Sequence, residues 1–445
     1  MLEREVSRRA LLKGMGAGAG LLAAGPLLRP GARAAIRSSA GAASRLAAVT
    51  AGPGSLPYPS LAEGTDTIPH IEHIIILMME NHSYDNYLGV LSRGDGFTLG
   101  PNGLPTNSNP DAAGHTVVAT HAANLCQGSG VSQTWDASHR AWDNGRNDGF
   151  VVASSAQAMQ YWNRDDLPVY YAMASTFPLC DRWFCSVMAQ TFPNRRFLQA
   201  GTALGWVADN VPGLTDRAPS GSIFDSLSAH GISWKNYFVD VPSTGLFPYQ
   251  LLHYAGNIQP VSNFFSDAAA GTLPSVSMID PGFTSSSEED PQDIAIGAAY
   301  AANIFNAVLS SPCWPSTAFI WTYDEHGGYY DHVPPAPAVP PDNILPEITV
   351  PPDLPGGYNY TGFRVPAVVA SPWARPNYVS HVVHDHTSFL KLVETKWNLP
   401  ALTFRDANAD NLLDCFNFNA PAPPFLKPPK LPSPNLSPGN LLCAL

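Results

Sequence analysis

Apolar and polar positions along the chain follow two alternating patterns. The first strong signal is Ile71-Glu72-His73-Ile74-Ile75-Ile76-Leu77-Met78-Met79, a β-branched run with no polar alternation beyond His73. A strand with one wet face alternates with period two, so an unbroken run predicts a strand covered on both faces, as in a parallel sheet. Comparable runs recur at Ser275 to Ile279, Ala318 to Tyr323 and Val365 to Ala370. Between them the apolar spacing becomes helical, at Ser222 to Ala229, Ala298 to Leu309 and Thr387 to Trp397. Strands alternating with helices predict an α/β fold, a mostly parallel sheet with helices on both faces. Pro334 to Pro355 and Pro421 to Pro438 interrupt the pattern. Proline has no N–H and a fixed φ, so each segment reads as surface loop or tail. Leu99 to Gln133 reads as loop-rich, and no internal repeat is visible.

The N-terminus follows a third pattern. Ser7-Arg8-Arg9-Ala10-Leu11-Leu12-Lys13 precedes a Gly/Ala/Leu run and the small-residue site Ala32-Arg33-Ala34. Charge, a short apolar core and an A-x-A site predict a cleaved export signal, and the paired arginines point to the twin-arginine (Tat) route and a secreted or cell-envelope protein. No stretch reaches the roughly 20 apolar residues that span a bilayer. The expected organisation is therefore a signal at 1–34, a flexible Ala/Gly/Ser/Pro linker at 35–66, a catalytic domain at 67–418 and a Pro-rich tail at 419–445.

Charge then narrows the partners. The signal carries six Lys/Arg against two Asp/Glu, so its removal takes the net charge from −12 to −16. So acidic a chain is a poor partner for nucleic acid, and an anionic membrane repels it except at a local apolar rim, which leaves at most transient membrane-surface contact. None of the six cysteines forms a CxxC pair; their even number permits disulfides without giving their connectivity.

Ligands in open α/β sheets bind beyond the carboxyl ends of the strands. Two of the apolar runs end in acids there: Glu80-Asn81-His82-Ser83-Tyr84-Asp85, and Asp324-Glu325-His326-Gly327-Gly328-Tyr329-Tyr330-Asp331-His332. Carboxylates converging from adjacent strands repel unless a cation lies between them, so the pair predicts a divalent-ion site; acids that merely cap the following turns are the structural alternative. A third segment, Gln190-Thr191-Phe192-Pro193-Asn194-Arg195, places Pro193 in the first turn of a helix and Thr191 at its N-terminus, where an anion is favoured. Thr191 is there either a nucleophile or a plain N-cap. No G-x-S-x-G elbow supports a serine hydrolase.

These motifs, with Arg364-Val365-Pro366 and Ser371-Pro372-Trp373, resemble the phosphoesterase family of bacterial phospholipases C, plant non-specific phospholipases C and acid phosphatases, from about residue 68 to 418. The resemblance implies an alkaline-phosphatase-like α/β/α sandwich. It implies one divalent metal ion (Ca, Mg, Mn or Zn) held by Glu80, Asn81, Thr191, Asp324 and Glu325, with Thr191 also the nucleophile. His139, in a segment similar to the family's His-x-x-Trp-Asn-x-Gly, would face the phosphate; His386, in Asp385-His386-Thr387-Ser388, would donate a proton or bind phosphate, and His326 would take part in catalysis. Asn144, Asn194, Arg195 and His332 would bind substrate. His82, Tyr84, Asn86, Asp143 and Asp385 depart from the pattern and leave the subgroup open between a phospholipase C and a phosphatase acting on soluble esters. A non-catalytic secreted metal-binding protein is the reading from a different class.

Overall fold

The computed structural model describes residues 48–349 and 353–436. The export signal, the first part of the linker and the end of the tail lie outside them.

Eight strands form the main sheet: β1 (His73–Met79), β2 (Leu179–Cys180), β3 (Trp234–Phe238), β4 (Ile258–Pro260), β5 (Val276–Ile279), β6 (Thr317–Tyr323), β7 (Ala367–Ala370) and β8 (Val379–Ser380). Their order is β8-β2-β7-β6-β1-β5-β3-β4, and β7 alone runs antiparallel to its neighbours. β1 and β6 are buried along nearly their whole length on both alternating faces. The unbroken apolar runs are the cause, since a parallel sheet is covered on each side. β7 begins after Pro366, which cannot donate to the ladder, so it is two residues shorter than the apolar run suggests.

Helices connect and cover the strands: α1 (Tyr84–Leu88), α2 (Trp135–Trp142), α3 (Pro168–Thr176), α4 (Thr191–Ala200), α5 (Ile223–Ala229), α6 (Val261–Ala270), α7 (Ile294–Ser310) and α8 (Thr387–Trp397). Ser222 caps α5 through a reciprocal box with Asp225, and Asp293 caps α7. No helix among the described residues is long and apolar enough to cross a membrane.

The described part of the linker holds no helix or strand but is fastened to the body. Gly54 donates to the Ala401 carbonyl, Tyr58 N–H to Asn398, and Lys396 pairs with Asp66. The proline-rich tail likewise packs Phe425 against Phe177, 4.9 Å between ring centres.

Register is what positions the chemistry. β1 and β6 pair in parallel with Met79 opposite Tyr323, so Glu80-Asn81 and Asp324-Glu325 leave the sheet side by side. β5, on the other side of β1, ends in Asp280. Three adjacent strands thus deliver acids to one edge.

Candidate active site and metal centre

Asn81 sits at φ 70°, a left-handed conformation that non-glycine residues adopt only when the surroundings hold it there. The clamp is local. Asn81 N–H donates to Asp324 Oδ1 at 3.3 Å, and Gly327, at φ 67°, passes so close that a β-carbon there would lie 1.9 Å from the Asn81 carbonyl oxygen. Gly327 therefore belongs to the site, letting the β6 turn close over the β1 turn, while Gly328, at φ 83°, passes against the Ser132 backbone.

Thr191 is the first residue of α4 and is fully buried. Its hydroxyl donates to Asn81 Oδ1 at 3.3 Å. The Asn81 amide can satisfy itself by turning over, with Nδ2 then donating to Asp324 Oδ1 at 3.0 Å and Glu325 Oε1 at 2.7 Å, and the oxygen accepting from Gln133 Nε2 at 3.3 Å. As the amide stands, its oxygen occupies that position instead. That one amide atom lies 2.7 Å from Glu325 Oε1, 3.0 Å from Asp324 Oδ1 and 3.3 Å from the Thr191 hydroxyl oxygen, so the three groups meet at Asn81. With its oxygen at that point the amide opposes both carboxylates unless a cation lies among them, whereas with Nδ2 there it donates to both. An octahedral ion held at about 2.1 Å spaces neighbouring donors about 3 Å apart, so the donor set fits a divalent ion. Glu80, fully buried, stands at the same strand end; its N–H donates to the Ser287 carbonyl at 2.9 Å. The structure thus brings together Asn81, Thr191, Asp324 and Glu325, with Glu80 adjoining.

Two of the predicted site histidines, His326 and His139, present a buried nitrogen with no hydrogen-bond partner. His326 Nδ1 lies 3.2 Å from Glu325 Oε2 and its Nε2 is unpartnered; burial pushes its pKa down to about 3. His139 Nδ1–H donates to the Trp135 carbonyl at 2.8 Å, which fixes the tautomer and leaves Nε2 as an acceptor without a partner; burial lowers its pKa as well. Each thus offers a lone pair on a buried nitrogen, and burial disfavours the protonated form of both.

Five other expectations are corrected. Asn194 uses its side chain on the chain before the nucleophile, Nδ2 donating to the carbonyls of Val187, Ala189 and Gln190 and Oδ1 accepting from Val187 N–H. It shapes the approach to Thr191 and has no group left for a substrate. Arg195 is 1% exposed and binds Asp324, Asp280 and the Met78 and Met79 carbonyls, so it braces the metal-side carboxylates. His386 Nε2–H donates to the Asp324 carbonyl at 2.7 Å, which holds the β6 end, and its Nδ1 accepts from the Trp183 indole at 3.4 Å, so both nitrogens are engaged within the protein. His332 belongs to a separate ion network: Nδ1 contacts Asp85 at 2.6 Å and Nε2 contacts Asp95 at 3.2 Å, while Arg364 binds Asp85 and Asp331. Asn144 is exposed on the left-handed turn that ends α2; the buried asparagine of that loop is Asn147, which donates to the Asp331 carbonyl.

Reading the sequence also passed over Asp280 and Gln133. Asp280 carried the same signal as Glu80 and Asp324, an acid directly after an apolar run; it accepts from Arg195, Asn236 and Ser243, and burial raises its pKa. Gln133 carried none.

A buried carboxyl supports the loop behind Glu80. Glu288 accepts from the hydroxyls of Tyr87, Tyr170 and Tyr323, and burial raises its pKa from 4.5 to about 8. The folded state keeps this proton up to about pH 8, whereas the unfolded chain loses it near 4.5. Stability from this group is therefore full below about 4.5 and falls as pH rises toward 8, by on the order of 5 kcal/mol. Glu288→Gln is expected to flatten that stretch of a urea-unfolding profile measured from pH 5 to 8; an unchanged slope would exclude the assignment.

The chain is similar to known proteins over most of its length. The Phosphoesterase family model matches residues 71–400. Phospholipase C B of Mycobacterium tuberculosis (strain ATCC 25618 / H37Rv) is 32% identical over 479 residues, 91% of this chain and 88% of that one. Non-specific phospholipase C1 of Arabidopsis thaliana is 31% identical over 404 residues, 82% of this chain and 74% of that one. Among solved structures, a protein in the alkaline phosphatase superfamily from Vibrio parahaemolyticus shares 12% identity with a TM-score of 0.37, covering 73% of this chain and 76% of that one, a likeness too distant to bear on function. With a family match over most of its length and relatives above 30% identity over most of theirs, the chain belongs to the phosphoesterase family and is a hydrolase of phosphoric esters.

Proposed function

We propose that this protein is an exported, metal-dependent phospholipase C that cleaves the glycerol-phosphate bond through a phosphothreonine at Thr191. The meeting of Thr191, Asp324 and Glu325 within 2.7 to 3.3 Å of one Asn81 amide atom, at the carboxyl ends of β1 and β6, carries the reading. Glu80, Asn81, Thr191, Asp324 and Glu325 would hold the ion, whose positive charge lowers the cost of deprotonating a nearby hydroxyl and neutralises phosphoryl oxygens. Thr191 Oγ attacks phosphorus, forming the O–P bond as the bond to the diacylglycerol oxygen breaks. His326 or His139 receives the hydroxyl proton at its unpartnered Nε2 and passes it to the departing diacylglycerol oxygen, which leaves as the alcohol. Water then hydrolyses the phosphothreonine and restores the hydroxyl. The loose transition state asks mainly for positioning, which Asn194, Arg195 and His386 supply through their fixed hydrogen bonds.

Phospholipid as substrate rests on the names of the curated relatives. Chelator treatment is expected to abolish hydrolysis of phosphatidylcholine, and re-addition of one divalent cation from a panel to restore it. Activity that survives chelation would refute metal dependence, and hydrolysis of p-nitrophenyl phosphate with none of phosphatidylcholine would replace the phospholipase with a phosphatase. Export rests on Arg8-Arg9 and the apolar run after them. It predicts that a double Arg8→Lys, Arg9→Lys variant stays in the cytoplasm, and unchanged export would contradict it.

A further inference from the structure

Away from Thr191, the turn before α8 carries His384, whose side chain is fully buried. Its two nitrogens differ. Nε2 lies 3.2 Å from Ser380 Oγ, and that hydroxyl in turn donates to Asp414 Oδ2, which also accepts from Tyr378 OH at 3.0 Å. Nε2 is therefore the protonated nitrogen, and Nδ1 carries a lone pair with no hydrogen-bond partner. Asp414 repeats the asymmetry: Oδ2 has two donors, whereas Oδ1 makes no hydrogen bond and lies 3.9 Å from His384 Nε2. Asp410 closes the group, its Oδ1 3.8 Å from His384 Nδ1, and its side chain, 40% exposed, borders a cavity of about 260 Å³ open to solvent.

The geometry points to a second divalent-cation site, formed by His384, Asp410 and Asp414, that takes a borderline ion of the Zn²⁺ or Mn²⁺ kind with water completing its coordination. One ligand atom from each residue lies within 4.8 Å of the other two. Ligands of a tetrahedral ion at about 2.05 Å stand roughly 3.3 Å apart, so the site closes by about 1 Å or so on loading. One imidazole with two carboxylates is a donor set that suits such ions. The outer contacts are those a bound imidazole needs, since a ligating histidine passes its other N–H to an oriented acceptor, here Ser380 backed by Asp414. The other acid-histidine cluster, Asp85, Asp331 and His332, differs in this respect: Arg364 already bonds both of its carboxylates. Among the described residues neither Asp410 nor Asp414 pairs with a lysine or arginine.

An ion here ties the 410–414 segment to the turn that leads into His386, which holds the Asp324 carbonyl. Its role is structural, and the proposal is independent of the nucleophile assigned to Thr191.

Zn²⁺ titration of chelator-stripped full-length protein against a chromogenic chelator tests it. Asp410→Asn, a partly exposed change, is expected to bind one equivalent fewer than the unaltered protein, with or without an ion at Glu325. Ser380→Ala should keep the stoichiometry but weaken that equivalent by about 10- to 100-fold. Zn²⁺ should also raise the melting temperature of the unaltered protein more than that of Asp410→Asn. Equal equivalents in the unaltered protein and Asp410→Asn overturn the proposal; should Asp410→Asn fail to fold, an unchanged affinity in Ser380→Ala does so.

Discussion

Thr191→Ala is expected to lower turnover of any phosphate ester by about 10⁴-fold or more, the scale on which enzymes that work through a covalent intermediate lose rate when the nucleophile is removed. The fold should tolerate the change. Thr191 makes one long side-chain hydrogen bond, to Asn81 at 3.3 Å, and such a bond contributes about 1 kcal/mol. The N-terminus of α4 does not depend on the hydroxyl, because Phe192 N–H donates to Asp209 Oδ1 at 2.7 Å and Asn194 fixes the preceding carbonyls. Thr191→Ser keeps an oxygen at the same place and should recover much of the rate. If Thr191 were only a helix cap, alanine would cost stability and spare kcat. Steady-state kinetics with a thermal melt separates the two, and an alanine variant within tenfold of the unaltered kcat would remove the nucleophile from the proposed mechanism.

Much of this arrangement is visible in the chain itself, for a physical reason. A strand buried on both faces must be apolar throughout, so β1, β5, β6 and β7 announce themselves, and the acids that follow β1 and β6 stand out because the strand has just ended. β3 escaped the same reading because Lys235 and Asn236 interrupt it. The structure satisfies both, Lys235 through Asp267 and Asn236 through Asp280 and Thr244, but those partners are distant in sequence. The roles of Asn194, Arg195 and His386 were hidden for a related reason. A polar side chain next to a nucleophile can face the substrate or face the scaffold, and only the folded chain tells which carbonyls and carboxylates need a donor. Spacing within a motif carries no record of Asp280, 85 residues from Arg195. His332 shows the converse, a histidine of the β6 turn that is pulled away by Asp85 and Asp95.

Arg195 offers the sharpest test of that distinction. As a substrate ligand it would be replaceable at little cost to the fold, and its loss would raise KM. Its guanidinium instead bonds Asp324 Oδ2 at 3.0 Å, Asp280 Oδ1 at 3.2 Å and two β1 carbonyls at 3.1 Å, and lies 4.7 Å over the Phe283 ring. Arg195→Leu keeps apolar volume but takes the counter-charge from two buried carboxylates, and removing one partner of a buried ion pair costs about 3–5 kcal/mol. The expected result is a large fall in stability in chelator, seen in urea unfolding. Added divalent cation should reduce the deficit, because a centre that has lost a positive charge attracts the ion more strongly. Asp280→Asn in the same chain should also recover part of the loss by removing one of the two stranded charges. A raised KM with unfolding unchanged would return Arg195 to the substrate and show that the carboxylates of β5 and β6 do not rely on it.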